Sequence, residues 1–193
     1  GPGASGRTGC ERDGRPGNGR SIRPIRYRSR YTKVHFYARL HGCRPAQRGN
    51  TMKPTQLLLI NDMCGYGKVA LSAMLPVLSH MGYRIHNLPT ALVSDTLNYP
   101  KFYIHDTTEY VRQSLAIWEE LGFEFDAIST GFIVTEEETR IISEFCHKRA
   151  ARGTKVFVDP IMADNGKLYA GVPESTIGLM KNLVECADYT VPN

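Results

Sequence analysis

QLLLINDMCGYGKVALSAMLPVLSHMG, residues 56–82, is the stretch of the chain with the clearest succession of structural patterns. The apolar run at 56–60 predicts a buried strand, and the two glycines within 61–67 predict a turn. Apolar residues then recur at helical spacing over 68–81, which predicts an amphipathic helix. Gly82 follows at the position where glycine commonly ends a helix. The stretch therefore predicts a strand, a turn and a helix in that order.

The same alternation continues along the rest of the chain. Segment 89–103 is predicted to be a loop with a short edge strand near 91–94. Strand-to-strand connections long enough to hold a helix imply parallel pairing through right-handed crossovers. The sequence therefore predicts an α/β fold, with three αβα layers around a mostly parallel sheet. The further strands are expected at 83–88, 126–130, 155–158 and 188–191, and the further helices after Asp106, Thr135 and Pro173.

Two of these helices have recognisable starts. Asp106-Thr-Thr-Glu109 and Thr135-Glu-Glu-Glu138 each place a Glu three residues after an acceptor side chain, which is the pattern of a capping box. Helical spacing predicts that the first of these helices turns Val111, Leu115, Trp118 and Leu121 inward, and that the last helix buries Ile177, Met180 and Val184.

Residues 1–51 differ in composition from the rest of the chain. They contain 12 Lys and Arg against 2 acidic residues, a net charge of +10, whereas 52–193 contains 12 basic and 17 acidic residues, a net charge of −5. The segment has few aliphatic residues and no helix or strand period, which predicts a disordered Arg/Gly-rich leader. Because the first methionine is Met52, we interpret it as a tag or upstream sequence. A native arm that binds nucleic acid through its arginines and aromatic residues is the alternative.

The cysteines and the hydropathy limit the class of protein. The five cysteines are an odd number without C-x-x-C spacing, so the sequence predicts neither a disulfide framework nor a zinc site. A reducing, cytoplasmic location is the simplest interpretation. No apolar stretch approaches the roughly 20 residues of a membrane span, so no membrane partner is predicted.

The most informative polar stretch is Asp159-Pro-Ile-Met-Ala-Asp-Asn-Gly-Lys-Leu-Tyr169. Asp159 directly follows the predicted strand 155–158, at the sheet edge where ligands bind in such folds. Asp164 lies in the same loop, and two carboxylates there suit a Mg²⁺–phosphate site because Mg²⁺ prefers carboxylate oxygen. An Asx-turn or a helix cap explains the same residues equally well.

Segment 61–67 connects a strand to a helix, as phosphate-binding loops do. It lacks the G-x-x-x-x-G-K-[ST] spacing, since Val69 follows Lys68. Its glycines are also explained by a tight turn. Asp62 is suited either to hydrogen-bond a polar ligand or to cap the helix.

Several motifs, in this order, resemble the pyridoxal/pyridoxamine (vitamin B6) kinases of the ribokinase-like superfamily. The resemblance extends from Met52 to Asn193 and leaves out the leader. It is carried by Leu-Leu-Ile-Asn-Asp-Met-Cys-Gly-Tyr-Gly at 58–67, Met74-Leu-Pro76, Leu88-Pro-Thr-Ala-Leu-Val-Ser94, Ser129-Thr-Gly-Phe132, Val158-Asp-Pro-Ile-Met-Ala-Asp-Asn-Gly166 and Ala187-Asp-Tyr-Thr-Val-Pro-Asn193.

The resemblance implies ATP-dependent phosphorylation of the 5′-hydroxyl of pyridoxal, pyridoxamine or pyridoxine. Asp62 stands where relatives place a Ser or Asp that hydrogen-bonds the pyridine ring, and the residues at the positions that wall the ring are Val69, Val93 and Phe132. The positions near the nucleotide phosphates, Mg²⁺ and a monovalent cation such as K⁺ are Asp159, Asp164, Tyr169 and Asn193. Of these, Asp159 and Asp164 are the expected metal ligands. A homodimer is implied for the full-length protein.

The chain also departs from the family. Val191 replaces the Thr of the usual Thr-Pro-Asn, and Asp95-Thr-Leu replaces an Asn-His-Thr. The Gly-x-Gly-Asp motif that supplies the family's general base does not occur in residues 1–193, so no catalytic residue is assigned. We therefore expect 52–193 to be the N-terminal half of a ribokinase-like kinase domain, truncated and inactive alone. The alternatives are a hydroxymethylpyrimidine kinase and a non-catalytic fragment that acts through its basic arm.

Deleting residues 1–51 should leave the unfolding midpoint of 52–193 nearly unchanged, because the leader has no apolar face to bury. Urea unfolding of the two proteins, followed by circular dichroism, measures the midpoint. A large loss of stability on deletion would show that the leader belongs to the fold.

Overall fold

The computed structural model describes residues 55–96, 99–164, 166–168 and 173–192, with the side chain of Asp164 excepted. The predicted leader lies outside these residues, as do Tyr169 and Asn193. The elements are β1 (Gln56–Tyr66), α1 (Ala70–His80), β2 (Arg84–Asp95), β3 (Ile104–Asp106), α2 (Thr108–Glu120), β4 (Ala127–Thr130), α3 (Glu136–Ala151), β5 (Lys155–Val158), β6 (Ala163–Asp164), β7 (Lys167–Leu168), α4 (Ser175–Glu185) and β8 (Tyr189–Thr190).

Six of the described strands form one sheet, in the order β3-β2-β1-β4-β5-β8. Every neighbouring pair is parallel except β2 and β3, which are antiparallel at the edge. Strands β6 and β7 form a separate antiparallel pair. The prediction of a mostly parallel α/β sheet between helical layers is confirmed.

The period of two along β1 divides the core between the two faces of the sheet. Leu58 and Ile60 pack with residues of α2, α3 and α4. Leu57 and Leu59 face the opposite side and pack with residues of α1. One strand therefore supplies both cores, which is why its sequence reads as a continuous apolar run. No helix in the described residues has the length and apolar content needed to cross a bilayer.

The turn predicted at 61–67 is wrong. The loop predicted at 89–103 is wrong up to Asp95, where β2 ends, whereas a strand at 91–94 and the absence of a helix or strand at the described residues 96 and 99–103 are confirmed. Strand β1 continues to Tyr66 and pairs along its length with β2, which continues to Asp95. Each extension supplies the backbone partners that the other needs, so a segment with turn-like composition becomes a strand. Gly65 permits this, because a Cβ there would stand 3.0 Å from the carbonyl oxygen of Ser94.

The predicted N-cap of α3 at Thr135 is confirmed, whereas the reciprocal bond of the capping box is displaced by one residue. Thr135 Oγ1 accepts a hydrogen bond from the backbone N–H of Glu138 at 3.0 Å. The Glu138 carboxyl reaches back to the N–H of Val134, one residue before the cap, at 3.1 Å. At α2, Asp106 Oδ1 accepts from the N–H of Thr108 at 2.8 Å, but Glu109 bonds Gln113 and Arg112 rather than closing the box.

Two predicted core positions are wrong. Leu121 is 62% exposed because α2 ends at Glu120, so the side chain lies past the last helical turn. Ile177 is 37% exposed, and α4 buries Met180 and Leu183 instead.

Arg149 in α3 is a buried charge that lies between two carboxylates and two aromatic rings. It is 1% exposed, and its guanidinium lies 2.9 Å from a carboxylate oxygen of Glu119 and 3.5 Å from one of Glu124. The guanidinium carbon also lies 5.8 Å from the ring centre of Phe125 and 5.0 Å from that of Phe145. This ion pair joins α3 to α2 and to the segment that leads into β4, and so helps to place the end of β4.

Replacing Arg149 with Ala should lower the free energy of unfolding by about 2–4 kcal/mol, since it removes both the ion pair and the packing of the arginine side chain against two aromatic rings. Arg152→Ala is the matched control, because Arg152 contacts the same Glu119 at 2.7 Å but is half exposed. Its loss should stay below about 1 kcal/mol. Equal losses in urea unfolding would contradict a special contribution of the buried arginine.

Candidate functional site

Asn61, in the middle of β1, lies beside the carboxyl ends of β4 and β5 on one rim of the sheet. The backbone N–H of Gly131, just past β4, donates to the carbonyl oxygen of Ile60 at 2.8 Å. The N–H of Asp159, just past β5, donates to the carbonyl oxygen of Thr130 at 3.3 Å. Asn61 and the turns after β4 and β5 therefore lie at the same edge, where parallel sheets bind ligands.

Asn61 connects the middle of β1 to the segment that follows β4. Its side-chain Oδ1 accepts a hydrogen bond from the N–H of Phe132 at 2.8 Å and another from the N–H of Asp62 at 3.0 Å. Gly131 makes the approach possible, because a Cβ at this residue would stand 2.3 Å from the Asn61 carboxamide. Any residue with a Cβ at position 131 would push the Asn61 side chain and the end of β4 apart.

Thr90 connects the middle of β2 to the same segment after β4. Its hydroxyl is fully buried in β2 and donates to the carbonyl oxygen of Phe132 at 2.6 Å. Sequence reasoning did not single out Asn61 or Thr90 as site residues, because their partners lie 71 and 42 residues away along the chain. The sequence signal for both residues was a polar side chain that closely follows a predicted strand, 56–60 for Asn61 and 83–88 for Thr90.

Asp62 lies at an irregularity of the sheet. The pairing of β1 with β2 shifts between Asn61 and Met63, which stand opposite Pro89 and Leu92. The extra residue in β2 is a β-bulge, a feature that redirects side chains next to binding sites. Burial raises the pKa of Asp62 to about 6, and its own backbone N–H offsets part of this rise. The carboxyl can therefore change its charge near neutral pH.

The other three predicted ring contacts lie on different elements. Phe132 is half-buried and is brought next to Asp62 by their shared partner Asn61. Val93 is buried in β2 opposite Cys64 of β1. Val69 is the residue that precedes the first turn of α1. Their role as walls of a ring site stays a prediction.

The predicted nucleotide side of the site is described in part. Asp159 is buried at the end of β5, and its carbonyl oxygen accepts from the N–H of Ile161 at 2.8 Å. The backbone of Asp164 pairs with Lys167 in the β6–β7 hairpin, and Tyr169 and Asn193 lie outside the described residues.

Metal binding also stays a prediction. Among the side chains that the structure describes, no group of three or more His, Cys, Asp and Glu could hold a metal ion. A carboxylate at the carboxyl edge of the sheet nevertheless suits Mg²⁺, which is commonly held by one or two carboxylates together with substrate phosphates.

Comparisons with known proteins find solved structures only. No protein-family model matches the chain, and no curated protein matches it by sequence. A Bacteroides thetaiotaomicron protein, provisionally assigned as a phosphomethylpyrimidine kinase, is 32% identical with a TM-score of 0.70, covering 75% of this chain and 50% of its own. A second crystal form of that protein contains pyridoxal. The pyridoxal kinase of Lactobacillus plantarum is 28% identical with a TM-score of 0.66, covering 72% and 50%.

More distant matches show the same fold. The pyridoxal kinase of Leishmania donovani, solved with ADP and pyridoxamine, is 22% identical with a TM-score of 0.65, covering 72% of this chain and 51% of its own. The chain thus spans about half the length of the solved structures it matches. The predicted resemblance to B6 kinases is confirmed, and the described residues have the ribokinase-like α/β fold.

Glu138, behind the rim, carries a second perturbed carboxyl. Burial raises its pKa to about 8, the N–H of Val134 offsets part of this rise, and the nearby charge of Asp106 adds to it. Because the folded-state pKa lies above the ordinary value of 4.5, the native protein binds the proton more tightly than the unfolded chain does. Stability should therefore fall as the pH rises from about 4.5 to about 8.

Glu138→Gln should remove this pH dependence, since Gln keeps an acceptor oxygen and cannot ionise. We expect the variant to be more stable than the wild type at pH 8 by roughly 1–3 kcal/mol, with a smaller difference at pH 5. Urea unfolding at the two pH values measures the difference. The control is Glu144→Gln on the exposed side of the same helix, which should change stability little and equally at both. A constant effect of Glu138→Gln would contradict the raised pKa.

Proposed function

We propose that the chain supplies the ring-binding side of an ATP-dependent kinase that phosphorylates the 5′-hydroxyl of a vitamin B6 compound. The observation that carries the proposal is that Asn61 in the middle of β1, Gly131 after β4 and Asp159 after β5 lie on one rim of the sheet. This rim belongs to a fold shared with pyridoxal kinases, one of them 28% identical.

Asp62 and Phe132 have the chemistry that a pyridine ring needs. A carboxyl with a pKa of about 6 can face a ring nitrogen either as a proton donor or as a charged acceptor. The aromatic side chain of Phe132, whose backbone N–H shares the Asn61 acceptor with that of Asp62, offers an apolar surface for the ring face. The Bacteroides relative has been solved with pyridoxal, which supports a ligand of this class.

The nucleotide would lie toward the end of β5. Phosphoryl transfer depends on positioning and on neutralising dispersed negative charge, and Mg²⁺ supplies that neutralisation when it is bound. Asp159 is the described carboxylate suited to hold Mg²⁺ there, with Asp164 as the second predicted ligand. Tyr169 and Asn193 are proposed to lie near the phosphates, and K⁺ is the proposed monovalent ion. The solved Leishmania kinase with bound ADP supports nucleotide use.

A hydroxymethylpyrimidine kinase is the second candidate function. The specific observation in its favour is the provisional assignment of the Bacteroides protein, which is 32% identical to this chain. Both substrates are aromatic nitrogen rings that carry a hydroxymethyl group, so the rim suits either. Homodimer formation and a cytoplasmic location remain predictions from the resemblance and the cysteine content.

Calorimetric titration of the 193-residue chain separates the two candidates. Pyridoxine should bind more tightly than hydroxymethylpyrimidine, and Asp62→Asn should weaken pyridoxine binding about tenfold, because the variant cannot change its charge toward the ring nitrogen. The pyridoxine affinity of Asp62→Asn should also vary less between pH 5 and 7 than that of the wild type, because Asn cannot ionise. Glu120→Gln, an exposed change at the end of α2, is the control. Tighter binding of hydroxymethylpyrimidine would favour the second candidate.

A further inference from the structure

The backbone of Phe132 is held at both its N–H and its carbonyl oxygen. Asn61 Oδ1 accepts from its N–H at 2.8 Å, and the Thr90 hydroxyl donates to its carbonyl oxygen at 2.6 Å. Asn61 belongs to β1 and Thr90 to β2. The neighbouring strands β1 and β2 therefore fix the backbone of Phe132, which follows β4.

The oxygen of Asn61 is shared between two candidate ring contacts. Besides the N–H of Phe132, it accepts from the N–H of Asp62 at 3.0 Å. A carboxamide oxygen has two lone pairs, so these two bonds use its capacity. Movement of Phe132 relative to Asp62 would break at least one of them.

Solvent can replace these bonds only poorly. Thr90 is fully buried and Asn61 is 8% exposed, so an amide or carbonyl that lost its partner here would be left in a low-dielectric environment. Gly131 allows the segment after β4 to approach β1, because its missing Cβ leaves the space that the Asn61 side chain occupies. The β-bulge of β2 lies at the same level as Thr90, where the strand is already irregular.

We propose that Asn61 and Thr90 are positioning residues, which set the distance and orientation between Asp62 and Phe132 for the ring of the substrate. The inference rests on the proposed function, since it assigns these two residues to the same ring site. The sheet below does not depend on them, because β1 and β4 pair from Leu57–Ala127 to Ile60–Thr130 through their backbones. Removing the side-chain bonds should therefore loosen the site more than the fold.

The coupling can be measured without any ligand. In the full 193-residue chain, amide hydrogen exchange by NMR should become at least about tenfold faster at Phe132 and Asp62 in Asn61→Leu, since both amides lose their acceptor. The amide of Ile128, which lies inside β4, should keep its exchange rate. Asn87→Leu, the same change at an exposed position of β2, should leave all three amides unaffected. Unchanged exchange at Phe132 and Asp62 in Asn61→Leu would overturn the proposal.

Thr90 offers an isosteric pair of variants in case Asn61→Leu fails to fold. Thr90→Val removes the hydroxyl and keeps the shape, whereas Thr90→Ser keeps the hydroxyl. Pyridoxine affinity should fall about tenfold in Thr90→Val and stay within about twofold of the wild type in Thr90→Ser. Equal affinities in the two variants, with both folded, would overturn a positioning role for Thr90.

The two measurements also separate this inference from the proposed function. If the wild type binds hydroxymethylpyrimidine rather than pyridoxine, the same variants should weaken that ligand, and the positioning role stands while the B6 assignment fails. If Asn61→Leu speeds exchange but leaves ligand affinity unchanged, the bonds are structural and the positioning role is overturned.

Discussion

One buried side-chain oxygen holds the candidate site together. Asn61 Oδ1 accepts from the backbone of Asp62 and of Phe132, so it joins the middle of β1 to the segment that follows β4. Backbone pairing alone brings β4 beside β1 as far as Thr130, but it does not set the position of Phe132 relative to Asp62. The missing side chain of Gly131 is part of the same arrangement, because it leaves room for the carboxamide.

Burial of charge has different consequences at three places in the fold. Asp62 and Glu138 lose hydration without gaining a cation, so their carboxyl pKa values rise to about 6 and about 8. Arg149 is also buried, yet it lies between two carboxylates and two aromatic rings that offset the loss of water. Asp62 belongs to the rim, as expected if its carboxyl serves a ligand, whereas Glu138 and Arg149 lie in the interior and serve the fold.

The motif resemblance and the solved structures agree on the fold and on a ligand class, and they reach this agreement independently of any whole-chain sequence match. The described residues correspond to about half of each solved relative. Within that half, we propose that the rim formed by β1, β2 and the end of β4 is the ring side and that the end of β5 is the nucleotide side. Under this proposal, apolar and titratable groups lie at the centre of the sheet, and carboxylates that suit Mg²⁺ lie toward one edge.

The sequence by itself determined the type and order of the four helices and of β1, β2, β4, β5 and β8, because local periods of two and 3.6 residues and the cap at Thr135 depend on neighbours along the chain. The short strands β3, β6 and β7 were not predicted. Strand β5 is a clear case, since Lys155–Val158 was predicted with the bounds that the structure has. Tertiary structure decided the rest. The 61–67 segment became a strand only because β2 runs beside it, and Asn61 became the centre of the site only because Phe132, 71 residues later, comes within 2.8 Å. Such contacts depend on how strands pack together in space, and no local pattern encodes that distance.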